Sequence, residues 1–371
     1  VAGIRRDHRT ALHRAGVQTL AQLAGVGPAE LAGVLSPGTA RRVTHQARLQ
    51  LAEREAGHPV YDLLDPAPHL GLGLLPEPDP ADVYLDFEGN PWAVGGRGIE
   101  YLAGLCDRSG AFVSWWAHDD AAEKRLTQDL VDDLLARRRA NPGMHIYHYA
   151  AYERSALTRM TARYGTREAE LDELLRGEAF VDLYAVVRQG VRISKPSYSI
   201  KKLEAYYWAH TRSAGEGEVG DALSSVVEYE RWLLTGDQGI LDAIEEYNRQ
   251  DVLSTLALHD WLEERRAELV GSGHELVRPA LASVSDAPAG GDAGPSEAQE
   301  QEAVEEEIAT QLRAVGQPLL AACVGWHRRE ARPAWWEYFR FTELLTEELV
   351  ADPKALGELG EPEHVGDVLD K

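Results

Sequence analysis

Two carboxylates in one short segment are the first candidates for chemistry. Asp86 and Glu88 lie in the sequence DVYLDFEG, where apolar and polar residues alternate as they do along a β-strand. Alternate residues of a strand point to the same side of the sheet, so the two carboxylates would lie close together, with Phe87 on the opposite side. Such a pair raises the pKa of both groups unless a cation binds between them, and carboxylate oxygens favour Mg²⁺ or Mn²⁺. An edge strand with a solvated outer side would show the same pattern, so this pair alone leaves both interpretations open.

A tyrosine and a third acid share one side of a helix predicted over residues 239–269. Tyr247 and Asp251 are four positions apart, and Ile240 and Ile244 precede them at helical spacing. An acid on the apolar side of a helix is unfavourable unless it is paired or binds a metal ion. A helix rotated about its axis would instead place Asp251 in solvent, which is the alternative.

A fourth acid lies where a predicted strand meets a predicted helix. Glu153 follows the segment HIYHY and begins a helix predicted over residues 151–164, where the helix dipole favours a carboxylate. Side chains at such junctions point into the crevice at the ends of the strands. Asp182 is the alternative for this position, although FVDLYAVV is more typical of a strand followed by a helix with an aspartate cap. His145 and His148 lie in the same predicted strand, but with no nearby cysteine or third histidine they do not indicate a zinc site.

A basic segment with interleaved tyrosines is a candidate for binding a nucleic acid strand. Residues 183–203 contain arginine and lysine but no acid. Basic side chains contact phosphates and aromatic rings stack on bases, so this composition suits a single strand. A solvated loop would have the same composition. The candidate nucleic-acid-binding residues are Arg188, Arg192, Lys195, Tyr198, Lys201 and Lys202.

The whole chain has the composition of a folded protein made of more than one part. It has 371 residues, of which 44% are hydrophobic, and its two cysteines exclude a disulfide-stabilised scaffold. Three strands joined as a meander, followed by alternating helices and strands, predict an α/β domain. The predicted order is a helical, helix-hairpin-helix-like basic module over 1–56, a proline-rich connector over 57–80, the α/β domain over 81–270, a flexible linker over 283–300 and a helical tail over 301–371.

Charge is distributed unevenly along the chain. The formal net charge is −23, yet residues 1–54 contain eight arginines and three acids, which gives +5. Short helices joined at glycines and surrounded by arginines suit contacts with backbone phosphates, and a helical bundle with solvated arginines is the alternative. The sequence has no G-x-x-x-x-G-K-[ST] phosphate loop, no serine nucleophile elbow, and no membrane-spanning or signal segment. We therefore expect a cytoplasmic protein.

The order of the acids resembles that of a nuclease superfamily. A D-x-E strand, an acid at a later strand–helix junction and a Y-x-x-x-D helix resemble the DEDD exonucleases of the ribonuclease-H-like superfamily, in the subclass that carries the tyrosine. Further segments are similar to bacterial RecB-like nucleases with a YprB-type ribonuclease-H-like domain, namely YLDFEGNPW, YHYAAYE, VDLYAVVRQGVRISKPSYSIKKLE, YNRQDV and HRREARPAWWEYF. The resemblance implies a mixed sheet flanked by helices. It also implies that Asp86, Glu88, Glu153 and Asp251 hold two Mg²⁺ or Mn²⁺ ions, with Tyr247 near the attacking water.

The same resemblance implies a function and partners. The protein would be a metal-dependent nuclease, specifically a 3′–5′ exonuclease on single strands in DNA repair, and part of a larger protein with a helicase module. A chain that begins at Val1 agrees with such a longer parent. The superfamily's second motif normally has Asp where this chain has Glu153, so a non-catalytic nucleic-acid-binding scaffold with a decayed site is the alternative. A ribonuclease H that cuts internally is a further alternative, which the Y-x-x-x-D helix disfavours.

Overall fold

The structure is a computed structural model that describes residues 1–208, 222–280 and 297–327, together with scattered positions between 338 and 355. Contacts divide the chain into two units, Val1–Ala287 and Pro288–Lys371. The described residues form thirteen α-helices and seven β-strands. The strands are β1 (Tyr61–Leu63), β2 (Val83–Asn90), β3 (Ile99–Asp107), β4 (Phe112–Trp116), β5 (Ile146–His148), β6 (Phe180–Asp182) and β7 (Val191–Ile193). The helices are α1 (Arg6–Arg14), α2 (Leu20–Gly25), α3 (Pro37–Ala56), α4 (Ala93–Gly96), α5 (Asp120–Ala140), α6 (Tyr152–Tyr164), α7 (Glu168–Arg176), α8 (Leu183–Gly190), α9 (Ile200–Tyr207), α10 (Ala222–Thr235), α11 (Gln238–Gly271), α12 (Glu297–Ala314) and α13 (Pro318–Cys323).

The central sheet has five strands in the order β4-β3-β2-β5-β6. Strands β2, β3 and β4 form the antiparallel meander that the sequence predicts, whereas β5 runs parallel to β2 and β6 runs parallel to β5. A hydrogen bond of 2.9 Å from Gly110 N to Asp107 O closes the turn between β3 and β4 at the predicted position. Helices α5 and α11 pack against the sheet. The α/β fold with a mixed sheet flanked by helices is thus confirmed.

Strand β2 lies in the middle of this sheet, between β3 and β5. Tyr84 and Leu85, which point to opposite sides of the strand, are both fully buried. The interpretation of this strand as a solvated edge is therefore wrong. Tyr84 packs with Val252 of α11 in one core. Helix α11 consequently covers the side of β2 that also carries Asp86 and Glu88.

Helix α5 packs against the sheet, and helices α6 and α11, which carry Glu153 and Asp251, begin and end close to their predicted limits. Helix α5 starts after Asp119, whose carboxylate accepts a hydrogen bond of 2.7 Å from Ala122 N. Helix α6 ends at Gly165, which has a φ of 54°, a left-handed conformation that glycine adopts at low cost. Helix α11 is 34 residues long and includes the whole of the predicted helix. The helices predicted over 151–164 and 239–269 are thus both confirmed.

The first three helices have a small core of their own, formed by buried residues such as Leu12, Leu23 and Val43. This segment is also attached to the sheet-containing part of the first unit. Gln46 Nε2 of α3 donates a hydrogen bond of 2.9 Å to the carbonyl oxygen of Lys195, and β1 pairs with β7 in antiparallel register. The proline-rich connector therefore includes one short strand.

The second unit contains α12 and α13, which pack against each other. Helix α12 begins at Glu297, so the last four residues of the range predicted as a linker are helical, and residues 283–296 lie outside the described residues. Most of the segment HRREARPAWWEYF in the predicted tail also lies outside them. None of the helices in the described part of the chain combines the length and apolar composition needed to cross a membrane.

Candidate metal centre

Three carboxylates meet between the sheet and α11. Asp86 and Glu88 come from β2 and Asp251 from α11, and one carboxylate oxygen of each lies within 4.8 Å of the other two. We call these residues the acidic triad. Glu88 is buried, and the Asp251 side chain keeps 13% of its surface exposed. Asp86 and Glu88 share one side of β2 because they are two positions apart, and Asp251 lies on the side of α11 that faces them. The sequence predicts this approach of the three residues.

A buried asparagine holds one oxygen of the triad. Asn248 Nδ2 donates a hydrogen bond of 2.8 Å to Asp86 Oδ2. Asn248 is fully buried and precedes Asp251 by three positions, so both side chains project from the same side of α11. Gly104 pairs with Asp86 across the β2–β3 ladder. Sequence reasoning missed Asn248, although its helical spacing from Asp251 was an available signal.

A second buried chain of hydrogen bonds holds Glu88. The Ser225 hydroxyl of α10 bonds to the Glu88 carboxylate. Ser225 Oγ also lies 2.5 Å from Tyr101 Oη of β3. The sequence does not indicate that Ser225 or Tyr101 belongs to the site, because α10 and β2 are brought together only by the tertiary fold.

Lys201 of α9 reaches the triad. Its Nζ donates a hydrogen bond to Asp251 Oδ1 and lies 4.4 Å from the centre of the Tyr247 ring. Tyr247 is buried, one turn before Asp251 on α11. The lysine was predicted to contact nucleic acid, but in the structure its ammonium group contacts an acid and a tyrosine of the candidate site.

Glu153 lies near the triad but outside it. It is buried at the start of α6, and its Oε2 lies 3.5 Å from His148 Nδ1. Within the described part of the chain that oxygen has no hydrogen-bond partner. His148 Nδ1 makes its closer contact, 2.6 Å, with the carbonyl oxygen of Ala150. The structure therefore brings three of the four predicted ligands together and leaves the fourth facing a histidine.

Asp182 has the capping role that the sequence favours for it. Its Oδ1 accepts hydrogen bonds of 2.8 Å from Tyr184 N, at the start of α8, and from Ala150 N. The second bond fixes the turn that leads from β5 into α6. Ala150 has a φ of 67°, a conformation that costs energy for a residue with a Cβ. Asp182 thus holds the backbone that positions Glu153.

Burial and mutual repulsion dominate the electrostatics of the triad. Burial, together with the negative charge of Asp251, raises the pKa of Glu88 to about 8, and Ser225 and Lys201 act in the opposite direction. Burial and the charges of Asp251, Glu88 and Glu153 raise the pKa of Asp86 well above its ordinary value. A bound divalent cation would remove both effects by favouring the ionised carboxylates.

Glu153 and His148, both buried, shift each other's pKa. Burial raises the pKa of Glu153, against the effect of His148. Burial alone would lower the pKa of His148, but the contact with Glu153 and the negative charge of Asp182 outweigh it and raise that pKa. The pair is an acid and a histidine whose charges stabilise each other.

The remaining residues of the basic segment have different surroundings. Arg192 and Tyr198 are buried and lie 3.2 Å apart, Nη1 to Oη, so neither is available to a nucleic acid strand. Lys195 forms an ion pair with Glu53 of α3. These three residues stabilise the protein's own fold.

Two basic residues of the segment keep exposed surface. Arg188 Nη1 donates a hydrogen bond of 2.8 Å to Tyr184 Oη, and its guanidinium lies 5.5 Å from the centre of that ring. Lys202 follows Lys201 on α9 and is exposed. The predicted basic surface is therefore smaller than the segment's composition indicates.

Residues 83–263 match a protein-family model described as RNase_H superfamily. The matched segment runs from the start of β2 into α11 and includes the whole acidic triad. Neither the comparison with curated proteins nor the comparison with solved structures gave a significant match. Residues 83–263 therefore have a ribonuclease-H-like fold, which suggests an enzyme that hydrolyses nucleic acid, and the acidic triad offers a set of ligands for a metal ion.

Proposed function

We propose that this protein is a metal-dependent nuclease that hydrolyses phosphodiester bonds at the acidic triad. The observation that carries the proposal is the approach of Asp86, Glu88 and Asp251 to within 4.8 Å of one another in a protein interior. Three carboxylates at that distance repel each other, and this repulsion is unfavourable unless positive charge binds among them. The family match supports nucleic acid as the substrate.

The donor set fits Mg²⁺ or Mn²⁺. All three members of the triad offer oxygen, which these ions prefer, and neither sulfur nor imidazole belongs to the group. When bound, such an ion supplies Lewis-acid activation of water and of the phosphate. The resemblance implies two ions, but only three of the four predicted ligands come together.

The chain's own residues account for orientation at this site. Asn248 fixes the carboxylate plane of Asp86, and Ser225 fixes that of Glu88. Tyr247 lies one helical turn from Asp251, and the sequence resemblance implies that its phenol orients the attacking water by a hydrogen bond. In the reaction the water oxygen bonds to phosphorus, one ester P–O bond breaks, and the products are a phosphomonoester and a hydroxyl group.

An exposed tyrosine supports a single-stranded substrate. Tyr152 precedes Glu153 and is 46% exposed, and its hydroxyl donates a hydrogen bond of 2.9 Å to Glu100. The same hydroxyl would lie 2.8 Å from a Cβ atom on Gly89, directly after Glu88. The ring is therefore anchored next to Gly89 at the end of β2 and keeps exposed surface, which is what base stacking on a single strand requires.

Exposed arginines of the N-terminal helices support contacts with phosphates further from the site. They are Arg6, Arg9, Arg14, Arg41, Arg48 and Arg54. Lys202 and Arg188 add positive charge on the sheet-containing part of the first unit. The finer proposals, a 3′–5′ direction, a RecB-like parent protein with a helicase module and a role in DNA repair, rest on the sequence resemblance alone.

The experiment uses single strands labelled at either end, together with a circular single strand, in Mn²⁺. An exonuclease degrades the linear strands from one end and spares the circle. Asp86→Asn and Asp251→Asn should each lower the rate by at least about 10²-fold, because the geometry of the metal site is lost. Asp242→Asn, an exposed acid on the same helix, should retain the rate. Equal rates in all four proteins would reject the proposal.

A non-catalytic scaffold is the second candidate. Glu153 faces His148 rather than the triad, and Lys201 already contacts Asp251, as in a site that has lost its metal. A scaffold would bind single strands with the same affinity in EDTA and in Mn²⁺ and would cleave none of them. Saturable Mn²⁺ binding that Asp251→Asn abolishes would exclude it.

A further inference from the structure

We infer that the acidic triad holds one divalent ion, and that the Lys201 ammonium group takes the place of a second ion beside Asp251. This inference rests on the proposed nuclease function, since it concerns the same site. It replaces the expectation of two ions with one ion and one fixed organic cation.

The first argument concerns Asp86. A carboxylate can bridge two ions with one oxygen on each, but here Oδ2 accepts a hydrogen bond of 2.8 Å from Asn248, which occupies one of its lone pairs. The opposite orientation of the Asn248 amide would point its oxygen at the carboxylate and repel it. Asn248 is fully buried beside Gly104, so it has little room to move away. The hydrogen bond from Asn248 therefore favours coordination of a metal ion by Oδ1 of Asp86.

The second argument concerns the place of the lysine. Lys201 and Asp251 are fifty positions apart, and α9 is tied to α11 by hydrogen bonds from Ser254 Oγ to Glu204 Oε1, at 2.9 Å, and between Ser254 Oγ and Tyr207 Oη, at 3.1 Å. The Lys201 side chain is 29% exposed, so its stem is partly enclosed. Its ammonium lies between an acid and the electron-rich Tyr247 ring, both of which favour a cation.

The third argument concerns charge and ligands. One divalent ion and one ammonium group together balance the three negative charges of the triad. A second divalent ion would need a further carboxylate, and Glu153, the fourth predicted ligand, faces His148 at 3.5 Å. Removing the lysine should therefore leave an uncompensated negative charge that draws the remaining ion more tightly.

The test measures Mn²⁺ binding to the full chain by electron paramagnetic resonance and by calorimetry. An acidic protein also binds Mn²⁺ weakly at its surface. The Mn²⁺ bound by Asp251→Asn measures this surface binding and is subtracted from the Mn²⁺ bound by the parent. The parent should show one tight ion, with the spectrum of an isolated Mn²⁺ rather than of an exchange-coupled pair. Lys201→Gln should bind that ion about tenfold more tightly, which corresponds to about 1.4 kcal/mol.

The matched control is Lys202→Gln, which removes an exposed charge from the same helix. Its affinity for Mn²⁺ should equal that of the parent. Lys201→Arg keeps the positive charge and should retain the parent's affinity for Mn²⁺. That result would show that a changed affinity in Lys201→Gln comes from the loss of charge rather than from misfolding. Two coupled ions in the parent, or an unchanged or weakened affinity in Lys201→Gln, would overturn the inference while leaving a metal-dependent nuclease intact. One ion and the expected shift without hydrolysis would instead overturn the nuclease proposal alone, and no saturable Mn²⁺ binding in any variant would overturn both.

Discussion

The Asn248 carboxamide fills the space that a side chain at position 104 would occupy, beside the acidic triad. A Cβ atom placed on Gly104 would lie 1.7 Å from Asn248 Oδ1, far inside contact distance. A glycine inside a strand is otherwise unfavourable, and here it lets a buried carboxamide approach Asp86 closely. The pair shows that the site is shaped by β3 as well as by the strand that carries the acids.

Gly104→Ala should destabilise the protein by roughly 1–3 kcal/mol, because the added methyl group overlaps the buried amide. It should also weaken Mn²⁺ binding, since Asn248 can no longer hold Asp86. Urea unfolding and melting with Mn²⁺ measure the two effects. Gly25→Ala is the control, because open space surrounds Gly25 at the end of α2 and alanine favours a helix. Equal stability of the two variants would contradict the close packing.

Much of the fold could be predicted because its signals are local. The alternation in DVYLDFEG gave the strand and the shared side of Asp86 and Glu88, and the spacing from Ile240 to Asp251 gave the helix that faces them. The alternative that β2 is an edge strand could be excluded only by the structure. Alternation reports which side of a strand is polar, and a central strand whose polar side binds metal has the same pattern as an edge strand.

The surroundings of the triad could not be predicted, because they depend on contacts between distant segments. Lys201 carries the same charge in a solvated loop and beside Asp251, and only the packing of α9 on α11 distinguishes these cases. Ser225 is likewise an ordinary helix residue until α10 lies against β2. For Glu153, the strand–helix junction was predicted correctly, but the contact with His148 follows from the left-handed turn at Ala150.

Asp251→Asn separates a metal ligand from a structural acid. Without metal, the variant loses repulsion from Asp86 and Glu88 and also loses the ion pair with Lys201, so its stability should stay within about 1 kcal/mol of the parent. With Mn²⁺ at 100 times the dissociation constant, the parent should gain about 2.7 kcal/mol and the variant almost nothing. Melting curves over a Mn²⁺ series measure both. A variant that is destabilised at every Mn²⁺ concentration, with the parent's response to the ion, would show a structural role.

Tyr152 is the test of substrate class. If a base stacks on its exposed ring, Tyr152→Ala should weaken binding of a single-stranded oligonucleotide by about 1–3 kcal/mol. Tyr152→Phe keeps the ring and loses only the bond to Glu100, so its affinity should remain close to that of the parent. Fluorescence anisotropy in EDTA reports binding without cleavage. Equal losses in both variants would assign the role of Tyr152 to its hydroxyl and remove the support for stacking.

The acidic triad should make the metal-free protein less stable as pH rises. Burial and the charge of Asp251 raise the pKa of Glu88 from 4.5 to about 8. Between these values the folded protein binds a proton that the unfolded chain has released, so the free energy of unfolding decreases with increasing pH and levels off above pH 8. Asp86, whose pKa is also raised, adds to the same slope.

Mn²⁺ should reverse this dependence, because the ion binds the ionised carboxylates and competes with protons. Urea unfolding from pH 5 to pH 8, in EDTA and in Mn²⁺, measures the two slopes. Glu88→Gln should remove much of the metal-free slope, since a neutral amide cannot titrate, while Asp242→Asn should retain all of it. A slope that is the same in Glu88→Gln and in the parent would mean that Glu88 titrates normally, and the triad would then lack the repulsion on which the metal assignment depends.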